Sequence, residues 1–313
     1  MHFGPGELLS LLSAAAWAVG VILYRRLVQH LPPLTLGFLK SLIVLAMMLP
    51  LALAMHGPRL PLISASDAAI AIASGALGIA VADTLYFVAL RHLGAGAMGV
   101  IGNAYSPFVL ALAALFLHER LGASQIVGFV LVMAGVGVIA GRKLAPAEPE
   151  SPAPDVALLE TEPALAQPTR GNLPFVLIGI LSVALMAAAI VMVKPVLEVR
   201  PLGWVTFLRL VGAVLGILVI ATARGQLRTL WPQGVRIDWK LLLPAAFVGQ
   251  CLSMLFWLGG YALTSASIAA VLNETASIFI LLLAFFFLRE PIGRRGALGV
   301  AFTLVGVMLM LRG

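Results

Sequence analysis

Of the 313 residues, 61% are hydrophobic and only 11% charged, and the mean hydropathy is +1.07, whereas soluble domains run at roughly 45–50% apolar and about 25% charged. So little polar material cannot cover a water-soluble surface, and lipid is the expected main solvent. The formal charge of +7 would suggest a nucleic-acid partner in a soluble protein. Here the basic residues fall in short breaks between apolar runs, where membrane proteins set their topology, so no nucleic acid is expected.

The apolar runs predict ten spans, at 7–28, 34–55, 67–90, 95–117, 123–141, 173–194, 202–222, 241–262, 266–288 and 296–312. Backbone groups in lipid have no water to bond, so these are expected to be helices. The alternating ten-residue strands of a barrel are not seen. Met1 to Leu9 has no basic segment and no cleavage site, so the first run is expected to be a retained helix. Cys251 lies inside an apolar run without a partner for a disulfide, a metal cage or thiol chemistry, and is expected to be a packing residue. No metal or cofactor is expected.

The long break between Gly141 and Asn172 is rich in proline and carries Glu148, Glu150, Asp155, Glu160 and Glu162. Such a composition cannot bury a core and predicts a disordered acidic linker. It divides the chain into a first five-helix repeat at 1–141, the linker at 142–171 and a second five-helix repeat at 172–313. The repeat holds at residue level: Glu119, Gly122, Gly128 and Gly135 recur at one constant offset as Glu290, Gly293, Gly299 and Gly306. Phe38-Leu39-Lys40 recurs as Phe207-Leu208-Arg209 at an offset two residues shorter. Five is an odd number, so the copies must enter the membrane in opposite orientations. The predicted fold class is therefore an all-α integral membrane protein of ten transmembrane helices in two inverted five-helix repeats.

In this order the motifs resemble the EamA-type transporters of the drug/metabolite transporter superfamily. They are the tandem repeat, Trp17 with Gly20 in the first helix, the cation near the start of the second helix of each half, and Pro107 ahead of Glu119. An acidic residue followed by a glycine closes each half, in His118-Glu119-Arg120-Leu121-Gly122 and Arg289-Glu290-Pro291-Ile292-Gly293. The second half has Ile278 where the first has Pro107, so the proline kink need not be shared. The resemblance implies export or exchange of small metabolites, amino acids or drugs, without naming the substrate.

Ionisable groups inside apolar spans are costly and mark functional positions, and here they are Lys40, Asp83, Arg209 and Glu274. Lys40 and Arg209 occupy equivalent positions; each either snorkels or pairs with a helix, or lines the solute path. Asp83 is too short to snorkel and either pairs with Arg91 or a neighbouring helix, or faces the path. Pro107 lacks the N–H that would bond the Asn103 carbonyl, so the two together predict a kink or a solute contact at Asn103. Glu119 and Glu290 sit before glycines that open the next helix, which suits a carboxylate beside a helix N-terminus. Trp17 and Tyr105 lie away from span ends and are the preferred aromatics for stacking on an organic solute, ahead of Tyr24, Tyr86, Trp257 and Tyr261. Glu274 stands where the first half has Asn103, so the two are expected to face each other. Glu274 would then act in proton coupling or bind a cationic group; otherwise it pairs with Arg209 or bonds Asn273 and Thr275.

These features predict a secondary transporter that exports small metabolites, such as amino acids or drug-like solutes, by alternating access in a bacterial cytoplasmic membrane. Its partners are a small-molecule substrate and membrane lipid, with the proton as candidate coupling ion. A primary pump lacks its phosphate-binding motif. A membrane-embedded enzyme would need a His-Glu-x-x-His run or a serine–base pair, and a scaffold would need a folded soluble domain; neither pattern is found. Orientation stays open. Basic residues such as Arg25, Arg26, Arg224 and Arg228 weight the loops after odd-numbered helices, but the resemblance implies cytoplasmic termini.

Overall fold

The computed structural model of the chain describes residues 4–56, 63–102, 104–118, 122–140, 173–231, 237–276 and 278–279, with scattered helical positions from 283 to 309. The described residues are helical, with no strand among them. α1 (Pro5–His30) opens on a proline at its first position, where the absent N–H costs nothing. α2 (Pro33–His56) opens in the same way and carries Pro50 inside. α3 (Ala65–Gly75) is capped by Ser64, whose hydroxyl accepts the Asp67 N–H at 3.1 Å. A π-helical segment, Ala76–Val81, joins it to α4 (Ala82–Gly102). α5 (Tyr105–Phe116) and α6 (Ala123–Ala140) complete the first half.

The second half follows the same plan with α7 (Leu173–Val199) and α8 (Leu202–Ala223), then α9 (Trp239–Ala246). A second π-helical segment, Phe247–Leu252, leads into α10 (Ser253–Leu263), and α11 is Ala266–Asn273. The two π segments occupy equivalent repeat positions. Pro244 precedes only the second, so proline is not their common cause. Gly78 and Gly249 are equivalent and lie inside them. A Cβ on Gly249 would come 2.6 Å from the Gly20 Cα on α1, and one on Gly78 would come 2.8 Å from the Ala189 Cβ on α7. Each π segment therefore lies where the first helix of the other half crosses it closely, against the backbone at Gly20 in one case and the Ala189 methyl in the other.

The remaining contacts are also reciprocal. α1 packs along α10 and α7 along α4, while α2 of one half meets α8 of the other. Among the described residues, these contacts between halves keep their pattern when the halves are exchanged. α3 and α8 touch through their backbones, because Gly75 lies against the Arg209 carbonyl and Gly212 against the Ile72 carbonyl. Leu177, Leu181, Leu215 and Val219 stay exposed on outer faces, as side chains that lipid solvates must.

Six helices among the described residues are long and apolar enough to cross a membrane: Pro5–Val28, Pro33–Ala54, Ala65–His92, Pro174–Val199, Leu202–Ala223 and Trp239–Leu263. They coincide with six of the ten predicted spans. The predicted break between 90 and 95 is not a break in the structure, since α4 stays helical to Gly102. In the second half the helix does stop there, because Thr264 turns extended and Ser265 caps α11 by accepting the Ile268 N–H at 3.2 Å. Leu93-Gly94 at the equivalent place has no such cap to offer. The linker at 142–171 and the Glu119 and Glu290 positions lie outside the described residues.

Ile278 in place of Pro107 left open whether the second half shares the interruption, and the structure shows a counterpart. Ala104 N–H bonds the Ile101 carbonyl at 3.0 Å, and the equivalent Thr275 N–H bonds Leu272 at 3.1 Å. Both are three-residue bonds that tighten the backbone between two helical stretches. Ile278 donates to Thr275, three residues back, at 2.9 Å. Thr275 Oγ1 also donates to the Leu272 carbonyl at 2.6 Å, so a hydroxyl accompanies in the second half the turn that Pro107 accompanies in the first.

Candidate functional site

The four ionisable side chains expected inside the spans fall into two groups. The first is internal to the amino-terminal half. Lys40 on α2 is 1% exposed and forms an ion pair with Asp83 on α4 at 2.5 Å. Its ammonium lies 5.0 Å from the Phe87 ring centre and 5.6 Å from that of Tyr24. Tyr24 donates its hydroxyl to the Ala245 carbonyl at 2.9 Å and so ties this group to α9. Trp17 meets Tyr86 edge to face at 6.4 Å, and Tyr86 meets Phe87 at 6.1 Å. Of the two pairings expected for Asp83, the structure selects the neighbouring helix and not Arg91. Lys40 pairs instead of snorkelling.

The second group lies between the halves. Arg209 on α8 is 1% exposed. Its Nη1 donates to Ser74 Oγ on α3, which in turn donates to the Ala189 carbonyl at 2.7 Å. The guanidinium stands 5.7 Å from the Trp257 ring centre, a distance at which the ring face attracts the cation. Trp257 contacts Tyr261 edge to face at 5.4 Å, and the Tyr261 and Tyr105 hydroxyls share a hydrogen bond of 2.8 Å across the halves. Tyr105 lies within electrostatic range of both Arg209 and Glu274.

Glu274 occupies the backbone turn of the second half and reaches the turn of the first. Its Oε1 accepts the Ser106 hydroxyl at 2.6 Å and the Ser106 backbone N–H at 3.2 Å. A carboxylate is thereby placed at the N-terminal end of α5, where unpaired N–H groups favour negative charge. None of the pairings expected for Glu274 is the one formed. Asn273 and Thr275 bond their own helix, at Ala269 and Leu272, and no ion pair joins Glu274 to Arg209 among the described residues. Asn103, expected opposite Glu274, lies outside the described residues.

Two contributors were invisible in the sequence. Ser74 and Ser106 are single hydroxyls in apolar runs, and only the fold brings them to Arg209 and Glu274. Lys194 was missed for a different reason, since the predicted span ended at it before Pro195. α7 continues through that proline to Val199, leaving Lys194 buried. Its Nζ donates to the carbonyls of Tyr261 and Thr264 at 3.0 and 3.1 Å and pairs with Glu198 at 2.6 Å. A cavity of about 570 Å³ lies beside it, lined by Leu117, Lys194, Glu198, Ala262, Leu263, Thr264 and Ser265. Cys251 is buried, as expected of a packing residue. Among the described residues no group of three or more His, Cys, Asp or Glu could hold a metal ion.

A bundle of membrane-length helices whose polar groups meet where two repeats pack defines a multi-pass membrane protein. The sequence model of the EamA-like transporter family matches residues 4–141 and 173–312, and the chain belongs to that family of membrane transporters within the drug/metabolite transporter superfamily. A small-molecule substrate follows from that membership. No curated protein matches the chain in sequence. Among solved structures, 29 chains match. One, described as "Crystal structure of protein", is 17% identical with a TM-score of 0.72, and the match covers 97% of this chain and 95% of that one. At this identity the likeness speaks for the fold alone.

Proposed function

We propose that the chain is a secondary transporter that exports small metabolites, such as amino acids or drug-like solutes, from a bacterium across its cytoplasmic membrane. Two inverted five-helix halves alternate access to a site between them. The observation that carries this reading is the hydrogen bonding of Glu274 to Ser106. A buried carboxylate from one half is held by the backbone turn of the other, so relative motion of the halves must change its partners. Arg209, Trp257, Tyr105 and Tyr261 lie around the same seam, and reciprocal packing of the halves supports the two-fold relation that alternating access requires. No enzymatic step is proposed.

Glu274 is proposed as the coupling residue, exchanging a proton as the site opens to each side. Purified protein in liposomes loaded with pooled amino acids and metabolites should show saturable efflux that responds to an imposed pH gradient. Glu274→Gln keeps the shape of the side chain and removes its charge. It should insert normally and lose the response to the gradient. Unchanged rate and pH dependence in this variant would remove Glu274 from coupling, and lipid turnover without flux would favour an enzyme.

A further inference from the structure

The two buried cations of the repeat are treated differently by the fold. Lys40 has its counter-charge in Asp83 at 2.5 Å. The position equivalent to Asp83 in the second half is Met254, a buried apolar residue. Arg209 consequently has no carboxylate within ion-pair distance among the described residues. Glu274 directs its Oε1 to Ser106, and Asp83 is taken by Lys40. What Arg209 receives from the protein is a neutral hydroxyl at Nη1 and the face of Trp257. Its Nε meets no acceptor.

That arrangement leaves Nε, on one edge of the guanidinium, without an acceptor. Nε and Nη2 present two parallel N–H groups, the fork that matches the two oxygens of a carboxylate, and Nη1, the nitrogen held by Ser74, is not part of it. Ser74 is itself anchored to Ala189, so the plane of the guanidinium is set from behind. Gly78 lies beside Nη2, where a Cβ would stand 3.6 Å away, so position 78 puts no side chain against that nitrogen. Trp257, with Tyr105 and Tyr261, supplies aromatic surface next to the charge. A solute offering only an ammonium group would place cation against cation here, whereas a carboxylate supplies the charge the second half lacks.

We propose that Arg209, backed by Ser74 and Trp257, anchors the carboxylate of the transported solute, so that the substrates are organic acids and zwitterions and not simple amines. This rests on the transporter reading and narrows its substrate class.

The test uses matched acid and amide pairs on the purified full-length protein: phenylacetate against phenylacetamide, and leucine against leucinamide. Binding is read from tryptophan fluorescence and from the shift of the thermal midpoint, and flux of the same compounds is followed in liposomes. At least one acid should bind saturably, tenfold or more tightly than its amide. Arg209→Gln should abolish the difference, and Arg209→Lys should retain part of it. Because Arg209→Gln could fail to fold, the acid–amide comparison on the unaltered protein stands by itself. Equal binding of acid and amide, or no saturable binding of either acid, overturns the proposal. Flux of an amine with no preference for carboxylates overturns it and leaves the transporter reading intact. Tight carboxylate binding without flux of any compound keeps the anchor and removes the transporter reading.

Discussion

Lys40 and Asp83 show what a buried ion pair contributes in this protein. Removing one partner strands the other charge, which costs about 3–5 kcal/mol, whereas replacing both with apolar residues of similar volume is often nearly neutral. Lys40→Met should therefore lower the thermal midpoint in detergent sharply. The double variant Lys40→Met with Asp83→Leu should recover most of the loss. Equal losses in single and double variants would mean that the pair serves something other than charge compensation. Lys194 differs, because its ammonium is shared between two carbonyls at the end of α10 and Glu198. Its loss would free the last turn of α10 without stranding a buried carboxylate, since Glu198 is half exposed.

Among elements, the turns at Ala104 and at Glu274–Thr275 are the interrupted elements most exposed to test. The second half forms its turn without a proline, through three-residue backbone bonds and the Thr275 hydroxyl. Pro107→Ala should accordingly leave the turn in place and flux close to that of the parent. Substantial loss of flux with normal insertion would show that the proline is required. The π segments make the opposite prediction. Gly249 lies against the α1 backbone at Gly20, where no flexible side chain can move aside. Gly249→Ala should destabilise by about 1–3 kcal/mol, the usual cost of overpacking, read as a lower midpoint. Gly102, with nothing within 4 Å of an added Cβ, is the control, and Gly102→Ala should leave the midpoint nearly unchanged.

At the scale of the whole molecule, reciprocal packing is the basis for expecting inverted halves. Lys40 and Arg209 should then lie toward opposite membrane faces, and both termini on one side. Reporter fusions at the two ends check this, and opposite signals from them would refute the even helix count. The segment 142–171 should act as a tether whose sequence is unimportant, because an acidic, proline-rich composition offers no packed fold. A Gly/Ser chain of equal length should preserve flux. Loss of flux with both halves inserted would give the linker a role of its own.

The amino-acid sequence by itself determined the solvent, the helical class, the repeat and four charged positions within spans, though not the burial of Lys194. These depend on apolar run length, local register and residue type, which survive in one dimension. It placed six spans well because a long run of hydrophobic side chains leaves lipid as the only suitable surroundings. It did not locate the end of α7 or the continuity of α4, since Pro195 and Gly94 are local signals that tertiary packing overrides. Partnership was also out of reach. Whether Asp83 meets Arg91 or Lys40, or Glu274 meets Arg209 or Ser106, depends on which helix faces come together between the halves. Ser74 and Ser106 carry no charge to mark them in an apolar run. Only the tertiary structure put a hydroxyl behind Arg209 and left its Nε without an acceptor. The physical reason is that Lys40, Arg209 and Glu274 each find their partner on another helix, at a residue far away in the chain.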